Sequence, residues 1–311
     1  MSPKKEYSLA EIAEFIDSKV VGNSGAVVNN ISRLENANSE SISFLSNQKY
    51  HKFIKTTLAN AVIVSNSFKV DDRINYLVSD DPYIAYAKLT TLFKESIFEL
   101  DNPVIHPSAV ISNESKIGND VSIGANVVIG PNCIIGNNVI IKSNCSIVQE
   151  VEIGDFSVIH NGSVLGSDGF GYAPSKDGYV KIEQLGKLVV GKYVEIGASC
   201  TIDRGALDNT EIHDGVKLDN QIQIAHNVVL GENSAIAASC AIAGSTVIGR
   251  NFQMGGLSGV LGHLSICDDV TVGAHTLITR SINESGNYIG IMPAQKQKDW
   301  AKSSVFIKKR V

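Results

Sequence analysis

His226 stands in the stretch DNQIQIAHN, with the neutral amides of Asn220, Gln223 and Asn227 around it. An imidazole in such company suits proton transfer near neutral pH. Gly244 follows 18 residues later and His263 follows 37 residues after His226. A backbone N–H held beside a base is the donor that an acyl-transfer oxyanion needs, although a plain turn glycine has the same appearance in a sequence. The two histidines lack a third at a matching position, so they are not expected to share a metal ion within one chain. No Ser, His and Asp order of a nucleophilic triad is evident.

The spacing of 18 gains meaning from the elements that must hold these residues. Aliphatic side chains recur at every sixth position from Ile105 through Ile111, Ile117, Ile123 and Ile129 to Leu165. The pulse resumes at Val190, Ile196 and Ile202, slips by four residues, and continues from Ile212 through Ile224 and Ile242 to Ile278. Neither a helix nor a strand pair has that period. Each hexad reads as a short strand plus a turn, and three hexads make one coil of a triangular solenoid. Two residues before each aliphatic sits a smaller one, such as Val121, Cys133 or Cys200, on the same inward face. Glycines such as Gly118 and Gly130 follow the aliphatics and are expected to make the corners. Coils stack at roughly 4.8 Å, which places Gly244 one coil beyond His226 and His263 two coils and one residue away, roughly 10 Å along the stack. His226, two residues past the inward Ile224, is expected to leave the coil at a corner.

The hexads occupy only part of the 311 residues. Residues 1–100 carry helical spacing at Leu9, Ile12, Phe15 and Ile16, strand-like segments in ISFLS and NAVIVS, and a helix over PYIAYAKLTTLF opened by Asp81 and Pro82. A small α/β domain is expected there, then a hinge at 101–103, a solenoid domain within 101–290 and a helical tail over 291–311. Two segments break the rhythm, GSDGFGYAPSKDGYV and DRGALDNTE, and such interruptions leave a solenoid as surface loops. A formal charge of −5 argues against nucleic acid as a partner. The tail is basic (Lys296, Lys298, Lys302, Lys308, Lys309, Arg310), which reads as a solvated helix face or as a docking patch for an acidic partner. Four of the five cysteines fall in the small inward slot and read as inert thiols of a reducing compartment. With no signal-like run and no apolar stretch of transmembrane length, the expected location is the cytoplasm.

The stretch IDRGALDNT…LDNQIQIAHNVVLGENSAIAASCAIAGSTVIG, taken with GSDGFGY and SFLSNQKY, resembles the UDP-3-O-(3-hydroxyacyl)glucosamine N-acyltransferases of lipid A biosynthesis. The resemblance spans nearly the whole chain and implies a mainly β protein: a left-handed parallel β-helix with a small N-terminal α/β domain that binds uridine. The usual crossover rule would have favoured the right hand. It also implies a homotrimer, an acyl carrier protein that delivers a 3-hydroxyacyl chain on phosphopantetheine, UDP-3-O-acylglucosamine as acceptor, and no bound cofactor. By the same resemblance His226 is the general base and Gly244 the oxyanion donor. Asp219, Asn220, Gln223 and His263 become substrate contacts, Asp219 reaching His226 only across a subunit boundary. Phe44, Asn47 and Tyr50, which on spacing alone read as core, hold uracil between rings and by an amide. Phe170 and Tyr172 contact the sugar or acyl chain, Leu277 lies where relatives measure acyl length, and Arg280 with the basic tail meets the carrier. Two rivals stay open from the sequence: another hexapeptide sugar-nucleotide acyltransferase (O-acyl or N-acetyl), and a non-catalytic β-helix scaffold or metal-dependent carbonic anhydrase on the same coils.

Overall fold

A computed structural model describes residues 5–94, 104–291 and 294–308, with side chains of 303–308 left aside. The expected hinge at 101–103, Pro293, Lys309 and Arg310 lie outside the described residues. The chain forms two compact units, Met1–Phe98 and Glu99–Val311.

In the first unit a five-stranded sheet runs in the order Lys19–Val21, Asn75–Ser79, Ala61–Ser65, Ser41–Phe44, Asn30–Ile31. The first pair is antiparallel and the rest are parallel. Alternation along the strand splits its side chains between two cores: Ile63 packs with Leu9, Ile12 and Leu89, while Val62 and Val64 pack with Leu34, Ile54 and Tyr76. Helix α1 (Leu9–Phe15) begins in a capping box, the Ser8 hydroxyl accepting from Glu11 N–H while the Glu11 carboxylate accepts from Ser8 N–H. Helix α2 (Pro82–Phe93) starts where expected, because the Asp81 carboxylate accepts from the Tyr83 and Ile84 N–H groups and proline at the first position has no N–H to satisfy.

The second unit is a left-handed parallel β-helix with three sheets of nine, nine and eight short strands. Rungs pair at a spacing of 18, as Ile129 with Ile147 and Ile224 with Ile242. Across the interruptions the register is kept at longer spacing, Ile159 with Ile196 and Ile202 with Ile224. The aliphatics and the small residues two before them form one continuous core, each fully buried aliphatic contributing about 1.5–3 kcal/mol. Cys133, Cys145, Cys200 and Cys240 sit in it as free thiols, and burial pushes each thiol up, away from the reactive thiolate.

The corners differ from the expectation. The left-handed backbone falls three residues after each aliphatic, at Asn126, Asn132, Asn138, Asn144, Asn227, Asn233 and their equivalents, with φ near 57°. Asparagine tolerates that region better than other side chains. The glycine directly after the aliphatic is there because coils approach closely: a Cβ on Gly130 would stand 1.5 Å from the Val148 carbonyl oxygen.

Both interruptions leave as loops, and the first folds into an exposed hairpin, Tyr172–Ser175 with Gly178–Lys181. Their bases are tied together by Leu185 N–H donating to Ala206 O (2.7 Å) and Gly186 N–H to Gly205 O (3.0 Å). Arg204, only 2% exposed, anchors both by donating from Nε to Gly186 O (2.8 Å) and from Nη2 to Glu150 Oε2 (2.6 Å). The last strand ends at Tyr288, and helix α3 (Gln297–Lys308) forms the tail. Among the described residues no helix is long and apolar enough to cross a membrane.

Candidate active site at the His226 corner

Ile224 points inward and is fully buried, and the chain then turns so that His226 emerges half-buried at the end of the Gln223–Ile224 strand. Its Nδ1 lies 3.0 Å from Asn227 Oδ1. The Asn227 amide is oriented by its own bonds: Nδ2 donates to Asp208 O (2.8 Å) and Oδ1 accepts from Ala206 N–H (3.0 Å). Oδ1 is therefore an acceptor toward the ring, Nδ1 carries the hydrogen, and Nε2 keeps its lone pair. The second interruption thus sets the tautomer of the imidazole through one asparagine.

A glycine lies on each side of the ring. A Cβ on Gly244 would stand 2.8 Å from both His226 Cε1 and Nε2, and a Cβ on Gly169 would stand 2.8 Å from its Cβ and 3.0 Å from Cδ2. Ser245 N–H donates to His226 O (3.0 Å), which fixes the coil of Gly244 directly beyond the ring. Among the described residues the Gly244 N–H has no acceptor. Gln184 closes the same side as Gly169. It is 6% exposed, its Nε2 donates to Ile182 O (3.1 Å), and its Oε1 has no partner.

On the rung next to His226 lies a carboxylate that the sequence reading passed over. Asp203 is 9% exposed, and its Oδ2 accepts from Gln223 Nε2 (2.9 Å). Gln223 Oε1 in turn accepts from the Thr201 hydroxyl. Burial pushes the Asp203 carboxyl up, the Gln223 amide and the His226 ring pull it down, and Asp168 adds to the upward push. The signal was available, since Asp203 opens the DRGALDNTE interruption, but its nearness to His226 depends on the 22-residue rung from Ile202 to Ile224.

Asp219 and Asn220 lie at the opposite end of the Gln223–Ile224 strand from His226. The Asp219 carboxylate accepts from Asn220 N–H (2.8 Å) and Ala238 N–H (3.1 Å), and Asn220 Oδ1 accepts from Ala198 N–H (2.7 Å). Both line a surface groove of about 800 Å³ with His160, Lys217 and Gln253. Within one chain they do not meet His226. His263 is exposed and stands in the left-handed column of Asn227 and Ser245, one column aside from His226 and Gly244. Within the strands, on the side away from the buried aliphatics, Gln223, Ala241, Gly259 and Leu277 pair in one column along a face. Small side chains precede Leu277, whose Cδ1 comes within 3.1 Å of where a Gly259 Cβ would be. Arg280 is exposed near that end. Phe170, 84% exposed, and Tyr172 pack ring to ring at 5.1 Å on the hairpin.

In the N-terminal unit Phe44 is half-buried and stacks on Tyr86 at 3.9 Å with 13° between planes, a partner the sequence reading did not single out. Asn47 caps the 3-10 helix Gln48–Lys55 by accepting from Lys49 N–H (2.9 Å), and Tyr50 is exposed on that helix.

Comparison with known proteins follows the same division. Residues 26–92 match the family profile of UDP-3-O-(3-hydroxymyristoyl) glucosamine N-acyltransferase, and residues 101–169 match that of the GMPPB C-terminal domain. The chain is 43% identical to UDP-3-O-acylglucosamine N-acyltransferase of Hahella chejuensis (96% of this chain, 90% of the relative). It is 42% identical to the protein of that name from Albidiferax ferrireducens (96% and 92%). Among solved structures it resembles UDP-N-acetylglucosamine acyltransferase from Campylobacter jejuni, with a TM-score of 0.53, 25% identity, and 65% of this chain and 83% of that one covered. With more than two-fifths identity across nearly its full length, the chain belongs to the UDP-3-O-acylglucosamine N-acyltransferase family of acyltransferases.

Proposed function

We propose that the protein transfers a 3-hydroxyacyl chain from acyl carrier protein to the 2-amino group of UDP-3-O-acylglucosamine, a step of lipid A biosynthesis in the cytoplasm. The observation that carries this reading is the His226 ring, fixed in one tautomer by Asn227 and bracketed by Gly169 and Gly244. The sugar amine attacks the thioester carbonyl carbon, and a C–N bond forms as Nε2 of His226 takes the amine proton. Negative charge gathers on the former carbonyl oxygen, where the unpaired N–H of Gly244 donates to it. The C–S bond then breaks, and the imidazolium returns its proton to the departing phosphopantetheine sulfur. No acyl-enzyme is formed, which accords with cysteines held inside the prism. Base and oxyanion donor together supply on the order of 10²–10⁴ and 10²–10³ in rate.

The N-terminal domain (1–100) reads uridine through Phe44, Tyr50 and the Asn47 amide, whose Nδ2 hydrogens remain for a ligand while Oδ1 caps the helix. Within the solenoid domain (101–290) the acyl chain lies along the small-residue column that Leu277 ends. His263, Phe170 and Tyr172 contact the pantetheine, sugar or acyl groups. Arg280 and the tail (291–311) meet the acidic carrier. Three copies assemble as a homotrimer, and Asp219 and Asn220 of one copy complete the site at His226 of the next, since they occupy opposite ends of one strand. The test is mass spectrometry of products from a panel of acyl carrier protein thioesters with UDP-3-O-acylglucosamine. One N-acylated product is expected, reduced at least 100-fold by His226→Ala. Wild-type transfer by that variant overturns the mechanism.

A further inference from the structure

Three acceptor groups converge on His226. Asn227 Oδ1 holds Nδ1, Gln184 Oε1 stands within 3.2 Å of the point where a Gly169 Cβ would touch the ring, and the Asp203 carboxylate lies one rung away. Charged side chains approach from few directions. The strand Thr201–Asp203 brings Asp203. The loop before the hairpin brings Asp168, which is paired with Lys181, itself shared with Glu183 at 3.1 Å. The loop at 206–208 contributes backbone groups that grip Asn227, and the next coil contributes the backbone of Gly244. Arg204 points away, to Gly186 O and Glu150. The loop at 206–208 also carries Asp208, whose side chain is exposed, so Asp203 is the buried carboxylate on the rung next to His226, its side chain being met by the neutral Gln223 amide.

We propose that Asp203 is a positioning residue of the transfer reaction, a buried negative charge that stabilises the imidazolium formed while His226 carries the amine proton. It exchanges no proton: one passes from the amine nitrogen to Nε2 and from Nε2 to the leaving sulfur, and Asp203 stays ionised throughout. Burial strengthens its field at the ring, because a protein surrounding screens a charge less than bulk water does. Gln223 fixes the carboxylate by one oxygen and is itself fixed by Thr201, so the charge is preorganised. This inference rests on His226 as the general base.

The experiment is the pH profile of kcat/KM for the full-length enzyme and Asp203→Asn, with acyl carrier protein thioester and UDP-3-O-acylglucosamine. Removing a negative charge beside a base that must be neutral to act moves the acid limb to lower pH, by about half a unit or more, and lowers the plateau kcat about tenfold. KM for both substrates stays within about twofold, as Asp203 acts through the ring. Asp203→Glu restores most of the plateau. Thermal unfolding verifies that Asp203→Asn is folded, and if it is not, Asp203→Ser carries the same measurement. An unmoved acid limb in a folded variant overturns the proposal, whatever happens to the rate. An active His226→Ala enzyme removes the base reading itself, whereas an inactive His226→Ala with an unmoved Asp203→Asn limb removes only the role of Asp203.

Discussion

Replacing Gly244 with alanine puts a methyl group 2.8 Å from His226 Cε1 and Nε2 and 3.2 Å from His226 O. Carbon contacts are comfortable at about 3.5–4.0 Å, so the ring must retreat by close to an ångström. The backbone at 244 is outside the left-handed region, so alanine fits its dihedrals and slightly stiffens the unfolded chain. The fold should therefore hold, with Tm within a few degrees of the parent, while the damage falls on the ring. Swinging away from residue 244 strains the 3.0 Å bond to Asn227 that sets the tautomer. A misplacement of about 1 Å costs roughly 100-fold in rate, or about 2.7 kcal/mol. Steady-state transfer to UDP-3-O-acylglucosamine, followed by mass spectrometry, should show kcat down about 100-fold with the KM for the sugar nucleotide little changed. Gly262→Ala is the control, one coil further along the same column. Its Cβ meets Gly244 O at 3.0 Å and no imidazole, so it should lose less than about fivefold. A Gly244→Ala enzyme within about threefold of the parent would refute the reasoning, because then the position of the ring beside residue 244 does not control the rate.

Other outcomes follow from the same geometry. Leu277→Ala opens the end of the Gln223–Ala241–Gly259 column and should shift preference toward longer acyl chains in competition between carrier thioesters; unchanged selectivity would place the chain elsewhere. Phe44→Ala removes the ring stacked on Tyr86 and should raise the KM for the sugar nucleotide about tenfold while kcat holds; a pure loss of stability without a KM change would make Phe44 a core residue only. Burial pushes the Asp203 carboxyl up, so the folded chain retains a proton there that the unfolded chain has released. Its contribution to stability therefore falls as pH rises from the ordinary carboxylate range through the raised value. Asp203→Asn should accordingly unfold at an equal or higher Tm than the parent near pH 7, the gap closing near pH 4. A clearly lower Tm at neutral pH would show that the carboxylate is needed for packing.

The solenoid was readable because a period of six admits few structures, and Ile129, Ile147 and their equivalents all fell inward. Helix α2 was equally legible, since Asp81 and Pro82 are local signals. What a linear reading misplaced was the corner: Gly118 and Gly130 are small because the next coil passes close by, and only a third dimension shows that. The same limit hid Asp203 and Gln184. Each becomes relevant through a loop that folds back or a rung that slips from 18 to 22 residues, and neither is a property of a local motif. Tyr86 escaped for a similar reason, lying on a helix more than forty residues from the Phe44 it stacks on.

The parallel register of the rungs has a consequence for how such an enzyme changes substrate. Moving Leu277 relative to His226 by adding or deleting chain works only in whole turns of 18 residues, each shifting it by about 4.8 Å, a step that spans several methylenes at once. A lineage adjusting to a lipid shorter or longer by a carbon or two has no such insertion to use. On the acyl path proposed above, the fine adjustment falls to the bulk of a single side chain on a rung that stays where it is.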